Sequence, residues 1–223
     1  MATSGTTSFD LSVDEIIEEA YERCGLELRT GYDLETARRS LNIMIAEWSN
    51  RGLNQWLITE NSFTVTKGTD EYSLGTDIVD ITSAVITRDG TDFQMSRLSR
   101  SDYLYTPNKT DQAKPTQFFL ERHITPKVYL YPTPENSTDV IKYYALTRIQ
   151  DAGDYTNTME ITFRFLPCLT AGLAYYIAMK RAPDRLQLLK TVYDEEWDRA
   201  ASEDIDSVSS KFLPPRMIIK RRI

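Results

Sequence analysis

The 223-residue sequence has little of what catalytic and cofactor sites are most often built from. It holds one histidine, His123, and two cysteines, Cys24 and Cys168. Both cysteines fall on apolar helical faces, where a buried free thiol is the plain reading, and a disulfide framework or zinc site would need more partners. No Gly-rich phosphate loop, G-x-S-x-G elbow or H-E-x-x-H pair is present. With 33 acidic residues some pair of carboxylates is inevitable, so a pair in sequence carries no catalytic weight. His123, beside Arg122 and a β-type run, reads as a surface or strand-end side chain. No catalytic, cofactor-binding or metal-binding residue is assigned, and no enzymatic activity is expected.

Long apolar runs are missing too. The longest nearly continuous one, residues 162–182, has 15 uncharged residues between Arg164 and Lys180. Crossing a bilayer takes roughly 17–25, so no membrane association is expected. Leu166, Leu169, Leu173 and Ile177 form one helical stripe, and Ala171, Ala174, Ala178 and Ala182 a second of small side chains. The run predicts a buried helix that other helices approach closely. The first ten residues lack a basic residue and an apolar stretch, so no secretory leader is expected. The glycosylation-like triplets at Asn108 and Asn136 then read as chance.

A cationic surplus is the third absence. The net charge of −7 argues against a general nucleic-acid binder, which needs positive charge for phosphate contacts. The charge is uneven, however. Residues 207–223 carry Lys211, Arg216, Lys220, Arg221 and Arg222 and no acid, giving +5 and leaving −12 of the total −7 for the rest. The same stretch holds the apolar groups Phe212-Leu213 and Met217-Ile218-Ile219 around Pro214-Pro215, a pair that favours extended chain. Apolar and basic together, it reads as an arm that orders on a partner protein. A frayed terminus and a nucleic-acid arm are the alternatives.

Periodicity supplies the remainder. Ser12-x-x-Glu15 is a capping-box pattern opening a helix with Val13, Ile16, Ile17, Ala20, Tyr21 and Cys24 inward, stopped at Gly25. Asp33 is placed to cap a second helix, ended by Gly52, in which Trp48 is expected to anchor the packing of the two. From about Phe63 the period becomes alternating, through short runs such as FTVT, IVDITSAVIT, QFFLE, KVYLY and VIKYYAL. Asp89-Gly90 is a hairpin signal, and Ser99–Tyr105 reads as a short helix. Helical signals return after Asp154, with Leu186, Leu189, Tyr193, Trp197 and Ala200 on one face of a last helix.

The expected fold class is therefore α+β: an antiparallel bundle of about four helices, an inserted β-rich lobe and an extended C-terminal arm. The boundaries read as a flexible N-terminal arm (1–11), the first half of the helical core (12–58), the lobe (59–152), the second half of the core (153–206) and the arm (207–223). Trp48, Leu173, Ile177 and Trp197 are its predicted core anchors.

Three stretches in this order, LNIMIAEWSNRGLNQW at 41–56, the run of MSRLSRSDYLY, AKPTQFFLERHITPKVYLYPTP and IKYYALTRI, and FLPCLTAGLAYYIAMKRAP at 165–183, resemble the head-to-tail adaptor (connector) proteins of short-tailed bacteriophages. That resemblance implies a virion protein of the phage neck, assembled in the bacterial host cytoplasm. It implies a homo-oligomeric ring, usually of twelve copies, below the portal. The ring would continue the DNA channel without sequence-specific binding and present a platform for the tail nozzle and in some cases tail fibres. The family's β insertion varies in size, and its C-terminal arm reaches the portal. Here that role falls to Lys211, Phe212, Leu213, Pro214, Pro215, Arg216, Met217, Ile218, Ile219, Lys220, Arg221 and Arg222. The competing readings are a nucleic-acid-binding protein acting through this tail and a tail-associated cell-wall hydrolase.

Overall fold

A computed structural model describes residues 5, 9–51 and 55–204. The predicted stop at Gly52 and the whole arm 207–223 lie outside the described residues, as does most of 1–8. The chain is mixed α+β. Helices α1 (Val13–Arg23) and α2 (Gly31–Arg51) come first, followed by strands β1 (Ile58–Thr64), β2 (Glu71–Ser73), β3 (Ile78–Arg88), β4 (Thr91–Gln94) and β5 (Ser96–Arg97). The short helix α3 (Arg100–Tyr105) precedes β6 (Gln112–Ala113), β7 (Gln117–Glu121), β8 (Lys127–Tyr131), β9 (Thr133–Pro134) and β10 (Val140–Thr147). Helices α4 (Leu166–Arg181) and α5 (Leu186–Glu203) close the described chain.

Local chemistry sets the helix ends. At α1 the Glu15 carboxylate accepts from both the backbone N–H and the hydroxyl of Ser12, each at 2.8 Å. Gly25, at φ 68°, lets the chain turn back so that Gly25 and Leu26 N–H donate to Glu22 and Tyr21 carbonyls. At α2 the structure corrects the sequence reading. Thr30, not Asp33, sits at the helix entry, its hydroxyl accepting from the Asp33 N–H at 3.3 Å. Asp33 lies one turn inside, buried, with its carboxylate 2.6 Å from Arg181 at the end of α4. Its spacing suits a cap, but a carboxylate there also faces a cation distant in sequence, which local patterns do not reveal.

Helices α1, α2, α4 and α5 share one apolar cluster. The two predicted stripes of α4 are both used: Leu169, Leu173 and Ile177 are buried, and so are Ala171, Ala174, Ala178 and Ala182. Gly172 shows how tight the approach is, since a Cβ there would stand 2.5 Å from the Met44 sulfur and 2.7 Å from the Tyr193 ring. Trp48, fully buried, draws its ring neighbours from the second half of the chain rather than from α1: Trp197 at 5.1 Å and Phe165 at 5.8 Å. Its indole N–H donates to the Tyr193 hydroxyl at 2.7 Å. Arg51 lies over the Trp197 ring at 4.3 Å and pairs with Glu47 at 2.7 Å.

The lobe has a separate apolar cluster, drawn from two four-stranded sheets ordered β1-β10-β3-β4 and β2-β8-β7-β5. Asp89 and Gly90, both at positive φ, form the expected hairpin turn between β3 and β4. In β3 the buried residues are Ile78, Ile81, Ala84 and Ile86, which is not strict alternation. Against β10 the register skips Val79 and Thr82, and each extra residue resets the face. The Asn108 and Asn136 triplets turn out to be turns in which the side-chain carbonyl accepts from the N–H of the threonine two residues on. Arg88 holds the buried Asp139 through both carboxylate oxygens, at 2.7–3.0 Å.

Strands β1 and β10 carry the chain into and out of the lobe and pair antiparallel from Ile58↔Leu146 to Thr64↔Val140. From there to α4 the chain does not turn helical at once. Residues 148–162 run irregularly across the helical core, with Ala152 N–H on Asn42 (2.8 Å), Val13 N–H on the Asn157 carbonyl (2.9 Å) and Arg38 on the Gly153 carbonyl (3.3 Å).

Two expectations follow. Trp48→Ala and Trp197→Ala should each lower unfolding free energy by about 3–5 kcal/mol in denaturant titration. At Asp33, burial alone would raise the pKa, but the Thr30 hydroxyl and the Arg181 guanidinium outweigh it and hold the carboxyl low. A lowered folded pKa contributes stability above the ordinary carboxylate range that is lost as pH falls through the folded value. The melting-temperature gap between the parent protein and Asp33→Asn should therefore be constant above about pH 6 and shrink below about pH 4.

Candidate partner-binding surfaces

The predicted anchors Trp48, Leu173, Ile177 and Trp197 all enter the helical cluster, while the predicted arm residues 211–222 lie outside the described residues. The groups that sequence reasoning set aside as chemistry are placed as follows. His123 is exposed in the loop between β7 and β8, its Nε2 at 3.2 Å from Glu121. Cys24 and Cys168 are buried free thiols, and the Cys24 sulfur donates to the Ala174 carbonyl at 3.1 Å. Burial pushes the Cys168 thiol up to about 12, far from the thiolate that nucleophilic chemistry needs. Among the described residues no group of His, Cys, Asp and Glu is placed to hold a metal ion. No helix among them is long and apolar enough to cross a membrane.

What the surface offers instead is contact area, in two places. The first lies at the start of α4. The last turn of α5 is held by Arg164, which donates to the Glu203 carbonyl at 3.1 Å and lies 3.9 Å from the Asp204 carboxylate. Phe163, next to Arg164 in the chain, enters a groove of about 670 Å³ between the start of α4, the outer face of α1 and the segment before α1. Its lining is largely apolar, from Phe9, Leu11, Phe163, Leu166 and Pro167, and also includes Asp10, Glu15, Glu19 and Arg23, the last paired with Glu19 at 2.7 Å. Phe9 and Phe163, with ring centroids 6.3 Å apart, are 69% and 62% exposed, unusual for phenylalanine. Sequence reading placed Phe163 in the core run and missed the groove. The signal available was the acid-rich outer face of α1, with Asp14, Glu15, Glu18, Glu19 and Glu22.

The second place is on the lobe. Tyr103 of α3 stacks on Phe119 at 5.1 Å with Tyr129 alongside, and Arg100, Lys109 and Glu121 line the shallow pocket around them. Burial, then nearby carboxylates, pushes both phenols up to about 12. The lobe also leaves Leu104, Tyr105 and Ile124 largely exposed.

This is a chain with contact surfaces and two cores, and comparison with known families agrees in kind. The sequence matches the profile of the SU10 adaptor protein family over residues 11–215, and the chain belongs to that family. Membership makes it a phage adaptor-type structural protein, a component of the virion that associates with other head or tail proteins. A search of curated proteins gives no match.

The burial of both cysteines gives a direct check. Ellman's reagent should leave the native protein unlabelled near neutral pH and modify Cys24 and Cys168 together once denaturant unfolds the helical cluster.

Proposed function

We propose that this chain is a head-to-tail adaptor of the short-tailed-phage type: a ring-forming protein, twelve copies by analogy, seated below the portal. The ring continues the DNA channel, through which the genome passes without sequence-specific contacts, and offers a platform to the tail nozzle and fibres. It assembles in the host cytoplasm and remains in the phage neck. It carries out no chemical step. In this reading the four long helices form the antiparallel bundle that packs copy against copy, the lobe faces the nozzle, and residues 207–223 reach the portal.

The observation that carries the reading is the family match itself, which spans both halves of the core and the whole lobe and extends through Pro214-Pro215 in the middle of the arm. Two further features support it. The described helical cluster draws on helices from both sides of the lobe, α1 and α2 before it and α4 and α5 after it, as a body with one inserted lobe requires. Their five basic side chains and the apolar groups at 212–213 and 217–219 suit a partner surface with acidic and apolar patches. Ordering an arm costs conformational entropy, so one arm binds weakly, and a ring presenting many gains by effective concentration.

The test is a pull-down with purified portal protein. Deleting 207–223 should leave a folded, soluble protein that no longer docks, and high salt should weaken docking of the full chain only in part. Cross-linking of the docked complex should place residues 60–150 away from the portal. Equal capture of truncated and full-length chains would overturn the role of the arm. Affinity for DNA falling steeply with salt would favour the nucleic-acid reading instead.

A further inference from the structure

The groove between α1 and α4 has a counterpart on the opposite side of the same helical body. We infer that neighbouring copies of this chain join head to tail through these two surfaces. The apolar, acidic groove of one copy receives an apolar, basic face of the next, built from Arg39 and Ile43 of α2 and Met179 and Lys180 of α4. The inference rests on the ring proposed above and names the surfaces that close it.

The inserting face is assembled by a hydrogen bond from Lys180 to the Ser40 hydroxyl at 2.6 Å, which sets α2 and the end of α4 side by side. Within one turn of that bond Ile43 and Met179 are 54% and 46% exposed, although each is a large apolar side chain. The charge around them is positive. Burial, and then the neighbouring Arg39 and Arg181 guanidinium groups, lower the Lys180 pKa. Arg38, Arg39, Lys180 and Arg181 outnumber the acids among them, Glu35 beside Arg39 and Asp33 paired with Arg181. Cations crowded in this way gain from a carboxylate brought by another molecule.

The placement of the two surfaces sets the symmetry. Thr170, in the groove lining, and Met179 are nine residues apart on α4, or two and a half turns, so they project on opposite sides of that helix. A contact between opposite sides is heterologous: each copy keeps one surface unused for the next, as closure into a ring demands. Charge selects against the symmetric alternative. Groove against groove would set Asp10 and the Asp14, Glu15, Glu18, Glu19 and Glu22 of α1 against the same carboxylates, with one Arg23 on each side. Groove against the α2–α4 face instead brings Phe9 and Phe163 onto Ile43 and Met179, with acids meeting cations around them.

Chemical cross-linking of the full-length chain, with portal absent, tests this. Glu18→Cys and Ala46→Cys place a thiol at exposed positions beside the groove and beside the α2–α4 face, while the native Cys24 and Cys168 are buried. A short bismaleimide should join chains when the two variants are mixed and leave each variant alone largely unlinked. A chain carrying both substitutions should give a ladder of covalent oligomers. Phe163→Ser added to the Glu18→Cys chain should keep the helical circular-dichroism signal and lower the mixed yield by about tenfold. Arg39→Glu added to the Ala46→Cys chain should lower it by about threefold. Links formed as readily within one variant alone would show a symmetric pair and overturn the head-to-tail contact. No links in the mixture, or a yield insensitive to both Phe163→Ser and Arg39→Glu, would overturn it as well. Variants that sediment as a ring without linking would overturn this contact while the ring stands, so failure here is distinct from failure of the proposed function.

Discussion

A fully buried tryptophan is best held when its indole N–H finds an acceptor, and the packing of the helical half turns on how that is met for Trp48. The acceptor is Tyr193, 145 residues further on, and the phenol is backed in turn by Glu47 at 3.3 Å. One hydrogen bond thus joins the C-terminal end of α2 to α5 across the entire lobe. Around it Phe165 and Trp197 close the ring faces, Arg51 caps them, and Gly172 gives Tyr193 the space to reach in. The arrangement is cooperative: a side chain at Gly172 would push Tyr193 away, and Trp48 would then be left with an unsatisfied donor. Each half of the chain supplies what the other half cannot bury alone.

The elements legible in the sequence were those whose signal is local. The stripes of α4, the Ser12 helix start, the short helix near Ser99–Tyr105, the Asp89-Gly90 turn and the alternation of the strands each declare themselves within about a dozen residues. What stayed hidden depends on long-range pairing. Asp33 looks like a cap until Arg181 is beside it, and Trp48 looks like a partner for α1 until Tyr193 and Trp197 arrive. The belt 148–162 has no period because backbone bonds to Asn42, Val13, Asp14 and Asp77 tie it to distant groups, and only short turns at Asp154–Asn157 and Met159–Ile161 close within it. The β3 bulges could be suspected only from hydrophobic spacings of three in place of two. For the contact surfaces the division is similar: the charge of the arm is plain in the sequence, whereas the groove needs α1 and α4 side by side.

The two apolar clusters divide the chain's polar groups in characteristic ways. The helical cluster has ion pairs at its ends, as with Asp33–Arg181 and Arg51–Glu47, and the lobe fastens its own far end with Arg88 on Asp139. Aromatic rings are shared out between them: edge-to-face around Trp48, stacked at Tyr103 and Phe119 near the surface of the lobe. Rings packed on every side lend rigidity, and rings packed on one side offer a face to another molecule. The first kind suits a rigid body, and the second suits the place where such a body meets something else.

The antiparallel neck has an evolutionary consequence. Ile58 and Leu146 face each other as paired residues, so the chain leaves the helical half and re-enters it at points only about 5 Å apart. Any folded unit whose two ends lie that close could be accommodated there without moving a helix. Lengthening a hairpin, adding a strand or exchanging the whole lobe would leave the geometry of Trp48 and Tyr193 untouched. Selection can therefore act on the lobe at the pace of changing partners while the helical body stays fixed, and two lineages could come to differ greatly in one half of the molecule while remaining interchangeable in the other.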